Sequence, residues 1–205
     1  MYADVRVIIM TKAPVSGQVK TRLMTHYTAD EAAAIYRAMA TVVIERAQCL
    51  FCDIWLAADD PQHAFFQTFS LPVRAQGGGD LGWRMTRLMQ EHFRQCAKPV
   101  LFLGCDSPHM PDVRLHQAVS QLLDHDVVIG PVEDGGYDLI ALRDCHAGMF
   151  ADIPWSTADV LERTRRQARA LDLHYCELNC GFDIDTPEDL LRSGFLPRSC
   201  NPLII

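Results

Sequence analysis

A chain of 205 residues with 49% hydrophobic and 22% charged residues is long enough, and apolar enough, to bury a core within one domain. Its formal net charge of −7 argues against nucleic acid as a partner, because binding a polyphosphate chain relies on neutralisation by many Lys and Arg. No apolar run approaches the roughly 18 residues of a membrane-crossing helix, so no membrane span is expected.

In chain order, the opening MYADVRVIIM lacks the layout of a signal peptide and reads as a first strand, Val5 to Met10, of a cytoplasmic protein. TKAPVSGQVKTRL follows, Thr11 to Leu23. Its Lys12, Lys20 and Arg22 concentrate positive charge in an acidic molecule and could focus a small polyanion; a solvated basic turn is the plain alternative. The adjacent Lys20 and Thr21 suggest a P-loop, but that pattern needs glycine where this chain has Val19 and Pro14. Thr28 and Glu31 then form a capping box at the head of a long helix. DIWLAA, Asp53 to Ala58, is the next buried strand. QGGGDLGWRM leads glycines into a helix over Leu81 to Gln95, whose N-terminus favours anions unless the glycines are a connector with Asp80 as N-cap. PVLFLG, Pro99 to Gly104, and DVVIGP, Asp126 to Pro131, read as buried strands around a helix over 112–124. YDLIAL, Tyr137 to Leu142, and LHYCEL, Leu173 to Leu178, are weaker strands, with a helix over Thr157 to Leu171 between them. Thr186-Pro187-Glu188-Asp189 starts a last helix.

Alternating strands and helices predict an α/β sandwich with a largely parallel sheet. One domain over 1–195 and an irregular tail over 196–205 account for the whole chain. In such sheets ligands sit beyond the carboxyl ends of the strands. The segments there hold Asp106 in GCDSPHMP, Glu133 and Asp134 beside Gly135 and Gly136 in GPVEDGGYD, and Asp183 and Asp185 in GFDIDTPEDL. Two carboxylates at alternate positions plus a third from another strand end suit a hard cation such as Mg²⁺ or Mn²⁺. Taken singly, Asp106 could form an Asx-turn and Asp185 could open a helix. The paired glycines either admit a ligand to backbone N–H groups or serve a tight connection. The eight cysteines make no zinc site: only Cys49 and Cys52 form a C-x-x-C, at the close of a helical pattern. Buried, reduced thiols are expected.

TKAPVSGQVKTRL, GDLGWRM, GCDSPHMP, GPVEDGGYDLIAL, IPWSTADVLERT and DIDTPEDL, in this order over about residues 5 to 192, resemble a small bacterial family. It is the radical-SAM/selenodomain-associated transferase 1 family, domain of unknown function 2064, in the nucleotide-diphospho-sugar transferase superfamily. The phospholactate and molybdenum-cofactor guanylyltransferases are similar at a greater distance. The resemblance implies a GT-A, Rossmann-type three-layer sandwich: a mostly parallel mixed sheet with helices on both faces. It implies a metal-dependent transferase with a nucleotide-activated donor and a small-molecule acceptor, in the first place a glycosyltransferase acting on a nucleotide-diphospho-sugar. Guanylyltransferase-like nucleotidyl transfer and a non-catalytic nucleotide-binding module are the alternatives, and a homodimer is compatible with either.

By position, the resemblance assigns Ala13, Gly17, Lys20 and Arg22 to the nucleotide phosphates, and Asp80, Leu81 and Gly82 to the base or ribose. Lys20, Arg22 and Asp106 are the implied catalytic residues. Asp106, Asp183 and Asp185 are the implied metal ligands. Glu133, Asp134, Gly135, Gly136, Trp155, Ser156 and Thr157 would face the acceptor, although Ser156 or Thr157 would also serve as an ordinary helix cap. Ser16, the order CDSP, Ala141 and above all Asp138 depart from the family pattern. Asp138 is expected either near the acceptor or outward on a strand edge.

Overall fold

The structure, a computed structural model, describes residues 1–195; the expected tail and Cys200 lie outside the described residues. Among the described residues, seven strands form one sheet in the order β3-β2-β1-β4-β6-β5-β7. They are β1 (Tyr2–Thr11), β2 (Phe51–Ala58), β3 (Val73–Ala75), β4 (Val100–Leu103), β5 (Val127–Pro131), β6 (Tyr137–Leu142) and β7 (Tyr175–Glu177). β1 pairs in parallel with β2 and β4, β2 with β3, and β5 with β7, whereas β6 runs antiparallel between β4 and β5.

The central strands are apolar without alternation because helices cover both faces of the sheet. Val7 and Ile9 pack with α1 (Ala29–Leu50) and α4 (Asp112–Gln121), while Ile8 packs with α3 (Leu81–Gln95) and α5 (Val160–Ala170). A third cluster joins Leu23, Ile35 and Met39 to Ile184 and to Leu190 of α6 (Pro187–Ser193), the last numbered helix. It clamps the basic loop after β1 against the C-terminal segment. A one-turn helix α2 (Ala64–Gln67) lies between β2 and β3. Among the described residues no helix is long and apolar enough to cross a membrane.

Local signals set most helix starts. Thr28 and Glu31 make both bonds of the capping box, and Thr186 and Asp189 repeat the arrangement with Pro187 in the first turn. Asp80 accepts the N–H of Trp83 and opens α3. The expected helix at Thr157 is corrected: α5 begins at Val160. Ser156 is left-handed at φ 65°, and Thr157 donates to the Pro154 carbonyl and accepts from the Asp159 N–H, so Trp155-Ser156-Thr157 is a turn. The seven cysteines among the described residues are free, but of these only Cys105 is buried, against the expectation of buried thiols; Cys49, Cys52, Cys145 and Cys180 are exposed. Cys49 and Cys52 sit at the junction of α1 and β2, and Cys145 and Cys180 lie in loops.

Asp138 does not face outward on a strand edge: the residue lines the cleft described below, but its carboxylate is buried. The β5–β6 register shifts between Gly130 and Pro131, so Asp138 is the extra residue of a bulge. Its carboxylate takes two bonds from Arg114 of α4, at 2.9 and 3.0 Å, with the side chains 3% and 9% exposed. Burial pushes the Asp138 carboxyl up to about 6 even though Arg114 opposes the shift. Arg114 also donates to the carbonyls of Pro131 and Asn179.

Candidate active-site cleft

A cleft of about 750 Å³ opens beyond the carboxyl ends of β1 and β4 and the amino end of β6. Its floor begins with Lys20. The side chain is 5% exposed, and its Nζ lies 2.6 Å from Asp106 Oδ1 and 2.8 Å from Asp185 Oδ1. Arg22 Nη1 reaches the other Asp185 oxygen at 3.1 Å. Burial alone would lower the pKa of the Lys20 ammonium, but the two carboxylates more than offset this and hold it above the ordinary lysine value. The Lys20 backbone is left-handed, φ 46°, which costs a non-glycine residue about 1 kcal/mol.

Above Lys20, the first residues of the basic loop are already committed. The Lys12 N–H donates to Tyr36 Oη at 2.9 Å, and the Ala13 N–H donates to Asp59 Oδ1 at 2.7 Å. Ala13 is buried and its amide is taken by Asp59, whereas Gly17, φ 75°, is exposed, and an added Cβ there would meet nothing within 4 Å. Lys12, Lys20, Thr21 and Arg22 line the cleft.

The CDSP loop follows β4. Asp106 is 44% exposed and faces the cleft. Ser107 donates to Asp183 Oδ1 at 2.6 Å, and the Asp106 carbonyl accepts the Ile184 N–H at 2.9 Å, which ties the two acidic segments together. Burial, reinforced by the Asp106 charge, raises the Asp183 carboxyl to about 7. The three expected metal ligands thus divide: Asp106 and Asp185 meet on Lys20, while Asp183 is turned to Ser107. Among the described residues no group of three or more His, Cys, Asp or Glu is arranged to hold a cation. Asp106 and Asp185 nonetheless offer neighbouring hard oxygens, partly exposed. That suits a cation which keeps waters and takes further ligands from phosphates.

The opposite wall is α3. Asp80, Leu81, Arg84 and Met85 line it, while Gly82 lies behind, close to Trp155: an added Cβ would sit 2.7 Å from its Nε1. Arg84, within GDLGWRM, is a further cleft residue that the motif alone did not single out. Its Nε donates to the Gly79 carbonyl at 2.9 Å and its Nη1 to Gln76 Oε1 at 3.2 Å. Gln76 is buried and fixed in turn by the Thr11 and Ala57 carbonyls at 2.9 Å each. Arg84 is therefore a positive charge held in place by neutral acceptors. The signal for it was helical spacing: four residues after Asp80, on the same face.

On the remaining side, Trp155 and Ser156 line the cleft, and the Tyr137 ring meets Trp155 edge-on at 6.3 Å between centroids. Other residues expected there lie outside the lining. Glu133 is exposed and paired with Arg192 at 2.6 and 2.7 Å. Asp134 accepts the Gly136 N–H at 2.8 Å, closing an Asx-turn. Gly135 has φ 87°, and an added Cβ would collide with the Ala158 backbone, so that glycine serves close packing of the α5 approach. Thr157 belongs to the same turn as Ser156.

The family described as "Uncharacterized protein conserved in bacteria (DUF2064)" matches residues 40–157. A crystal structure from Desulfovibrio desulfuricans G20, described as that of a candidate nucleotide-diphospho-sugar transferase, is 30% identical with a TM-score of 0.85, over 93% of this chain and 87% of that one. CMP:2-keto-3-deoxy-manno-octonic acid synthetase complexed with CTP shares the fold at 14% identity and TM-score 0.60, over 92% of this chain and 96% of that one. So does Rv0371c from Mycobacterium tuberculosis H37Rv in complex with manganese, at 15% and 0.54, over 93% and 97%. No curated protein sequence matches. With the family match over more than half of its length and the 30% identical structure covering nearly all of it, the chain belongs to the DUF2064 family and has the nucleotide-diphospho-sugar transferase-like fold.

Proposed function

We propose that this protein is a metal-dependent transferase with a nucleotide-activated donor, a glycosyltransferase that passes the sugar of a nucleotide-diphospho-sugar to a small-molecule acceptor. The observation that carries this reading is the convergence of Lys20, Arg22, Asp106 and Asp185, remote in sequence, on one end of the cleft. Asp106 and Asp185 would hold Mg²⁺ or Mn²⁺, which when bound neutralises charge on the diphosphate leaving group. Lys20 and Arg22 offset the charge that builds on the same group as the sugar departs. Arg84, fixed by Gln76 and Gly79, adds a cation on the facing wall for a phosphate or another anionic group. Trp155 and Tyr137 give the acceptor side aromatic walls.

Covalent catalysis has no support here. Burial pushes the Cys105 thiol up to about 12, so it stays protonated at neutral pH. Positioning and charge stabilisation suffice for the reaction. Asp138 lines the cleft, but both of its carboxylate oxygens are taken by Arg114, so no acceptor deprotonation is assigned to it.

Nucleotidyl transfer is the second reading, favoured by the fold shared with a CTP-bound synthetase. The same cations would then grip a triphosphate, and pyrophosphate would leave. Thermal unfolding against UDP-, GDP- and CDP-sugars and the NTPs, with and without Mn²⁺, tests both. A ligand at about 100 times its dissociation constant adds about 2.7 kcal/mol, or roughly 5–10 °C for a chain of this size. A metal-dependent shift with a sugar nucleotide, followed by release of nucleoside diphosphate, is the expected result. Pyrophosphate release from an NTP would replace the first reading by the second, and a flat panel would refute both.

A further inference from the structure

Lys20 occupies the place a cation would need. Its ammonium bridges Asp106 and Asp185 at hydrogen-bond distance, its side chain is almost fully enclosed, and Arg22 takes the remaining Asp185 oxygen. The charge of the two carboxylates is thereby already balanced by two cationic side chains of the same loop. A free divalent ion entering this pair would meet an ammonium at contact range and leave the cluster with an excess of positive charge. A nucleoside diphosphate changes the balance, because it brings at least two negative charges and a new acceptor for Lys20.

We infer that Lys20 is an internal cation that keeps the carboxylate pair closed to the free metal ion, and that the site takes its divalent cation together with a nucleoside diphosphate. The inference rests on the transferase reading for the identity of the site. It adds the order of assembly: Lys20 leaves Asp106 and Asp185 for the phosphates, and the cation and the nucleotide enter as one unit. The left-handed backbone at Lys20, φ 46°, accompanies this placement of the ammonium between the two carboxylates.

The test is Mn²⁺ binding followed by electron paramagnetic resonance, on wild type, Lys20→Met and Lys20→Gln, each confirmed as folded by its melting curve. Without nucleotide, both Lys20 variants should bind Mn²⁺ at least about 10-fold more tightly than wild type, the scale of removing a like charge at contact distance. Adding Asp106→Asn to Lys20→Met should abolish the gain. In wild type, one of GDP, CDP, UDP or ADP, each tested singly and corrected for Mn²⁺ held by the nucleotide alone, should raise Mn²⁺ binding at least about 10-fold. Unchanged or weaker Mn²⁺ binding in both Lys20 variants would overturn the inference while leaving the transferase reading intact. Tighter binding in the variants with no diphosphate effect in wild type would overturn the joint entry, while the transferase reading would still be decided by the sugar-nucleotide and NTP panel.

Discussion

Arg114→Met removes one partner of a buried ion pair while keeping most of the apolar stem. The Asp138 carboxylate, 3% exposed, would lose both of its charged bonds, and the Pro131 and Asn179 carbonyls would each lose a donor. Breaking a pair of this kind from one side costs about 3–5 kcal/mol. At about 2–4 °C per kcal/mol for a chain of this size, the melting temperature should fall by roughly 10 °C. The loss should depend on pH with a definite sign. Asp138 already titrates at about 6, above the 3.8 of an unburied aspartic acid, and losing the opposing Arg114 charge moves it higher. Between those values the folded variant binds a proton that the unfolded chain does not, so its stability falls as pH rises through the folded pKa and returns as pH is lowered. The gap between wild type and variant in urea unfolding should therefore narrow from pH 8 to pH 5. Adding Asp138→Leu to Arg114→Met should recover most of the loss, since no buried charge is left unpaired. A single-variant cost below about 1 kcal/mol, or a gap constant across that pH range, would refute the reasoning.

Three further outcomes follow from the same geometry. In metal-free protein, Asp106→Asn should lower the Asp183 pKa from about 7, because the Asp106 charge adds to burial in raising it; carboxyl carbon NMR would read this, and an unmoved titration would mean that burial acts alone. Arg84→Met should weaken nucleotide binding about 10-fold by calorimetry, the scale of one hydrogen bond to a charged group, while the melting temperature shifts little. Equal affinity would remove Arg84 from the binding wall. Gly135→Ala should cost more than about 2 kcal/mol, whereas Gly17→Ala should cost about 1, because both are left-handed but only the first meets the Ala158 backbone. Equal denaturation midpoints for the two variants would contradict that account.

The parts of the fold legible in the sequence were those with local causes. The caps at Thr28, Asp80 and Thr186 act within four residues, and the central strands announce two-sided burial by unbroken apolar runs. β3 and α2, three and four residues long, are too short to carry a period. The direction of β6 is decided by its pairing with β4 and β5, which no local pattern encodes. At the site, the rule that ligands gather beyond strand ends brought Lys20, Asp106 and Asp185 to one place. It could not say that Lys20 would sit between the two acids, that Asp59 would take the Ala13 amide, or that a register shift would carry Asp138 to Arg114. Those are contacts between residues far apart in the chain, fixed by packing.

The antiparallel β6 also bears on how the chain folds. β5 and β6 are joined by residues 132–136 alone, so their pairing closes a short loop, whereas Arg6 of β1 must find Val100 of β4 across half of the chain. Hairpin closure takes microseconds and distant pairing is slower, so the two halves of the sheet are born at different speeds. Their seam is the β4–β6 pair, and the acids flank it: Asp106 follows β4, and Asp185 is held beside it by the bond from the Ile184 N–H to the Asp106 carbonyl. On a growing polypeptide that bond must wait for nearly the last of the described residues. Pulse-labelled hydrogen exchange should accordingly find the β5–β6 amides protected early and the Ile184 amide among the last, which makes the cleft the final part of the molecule to exist.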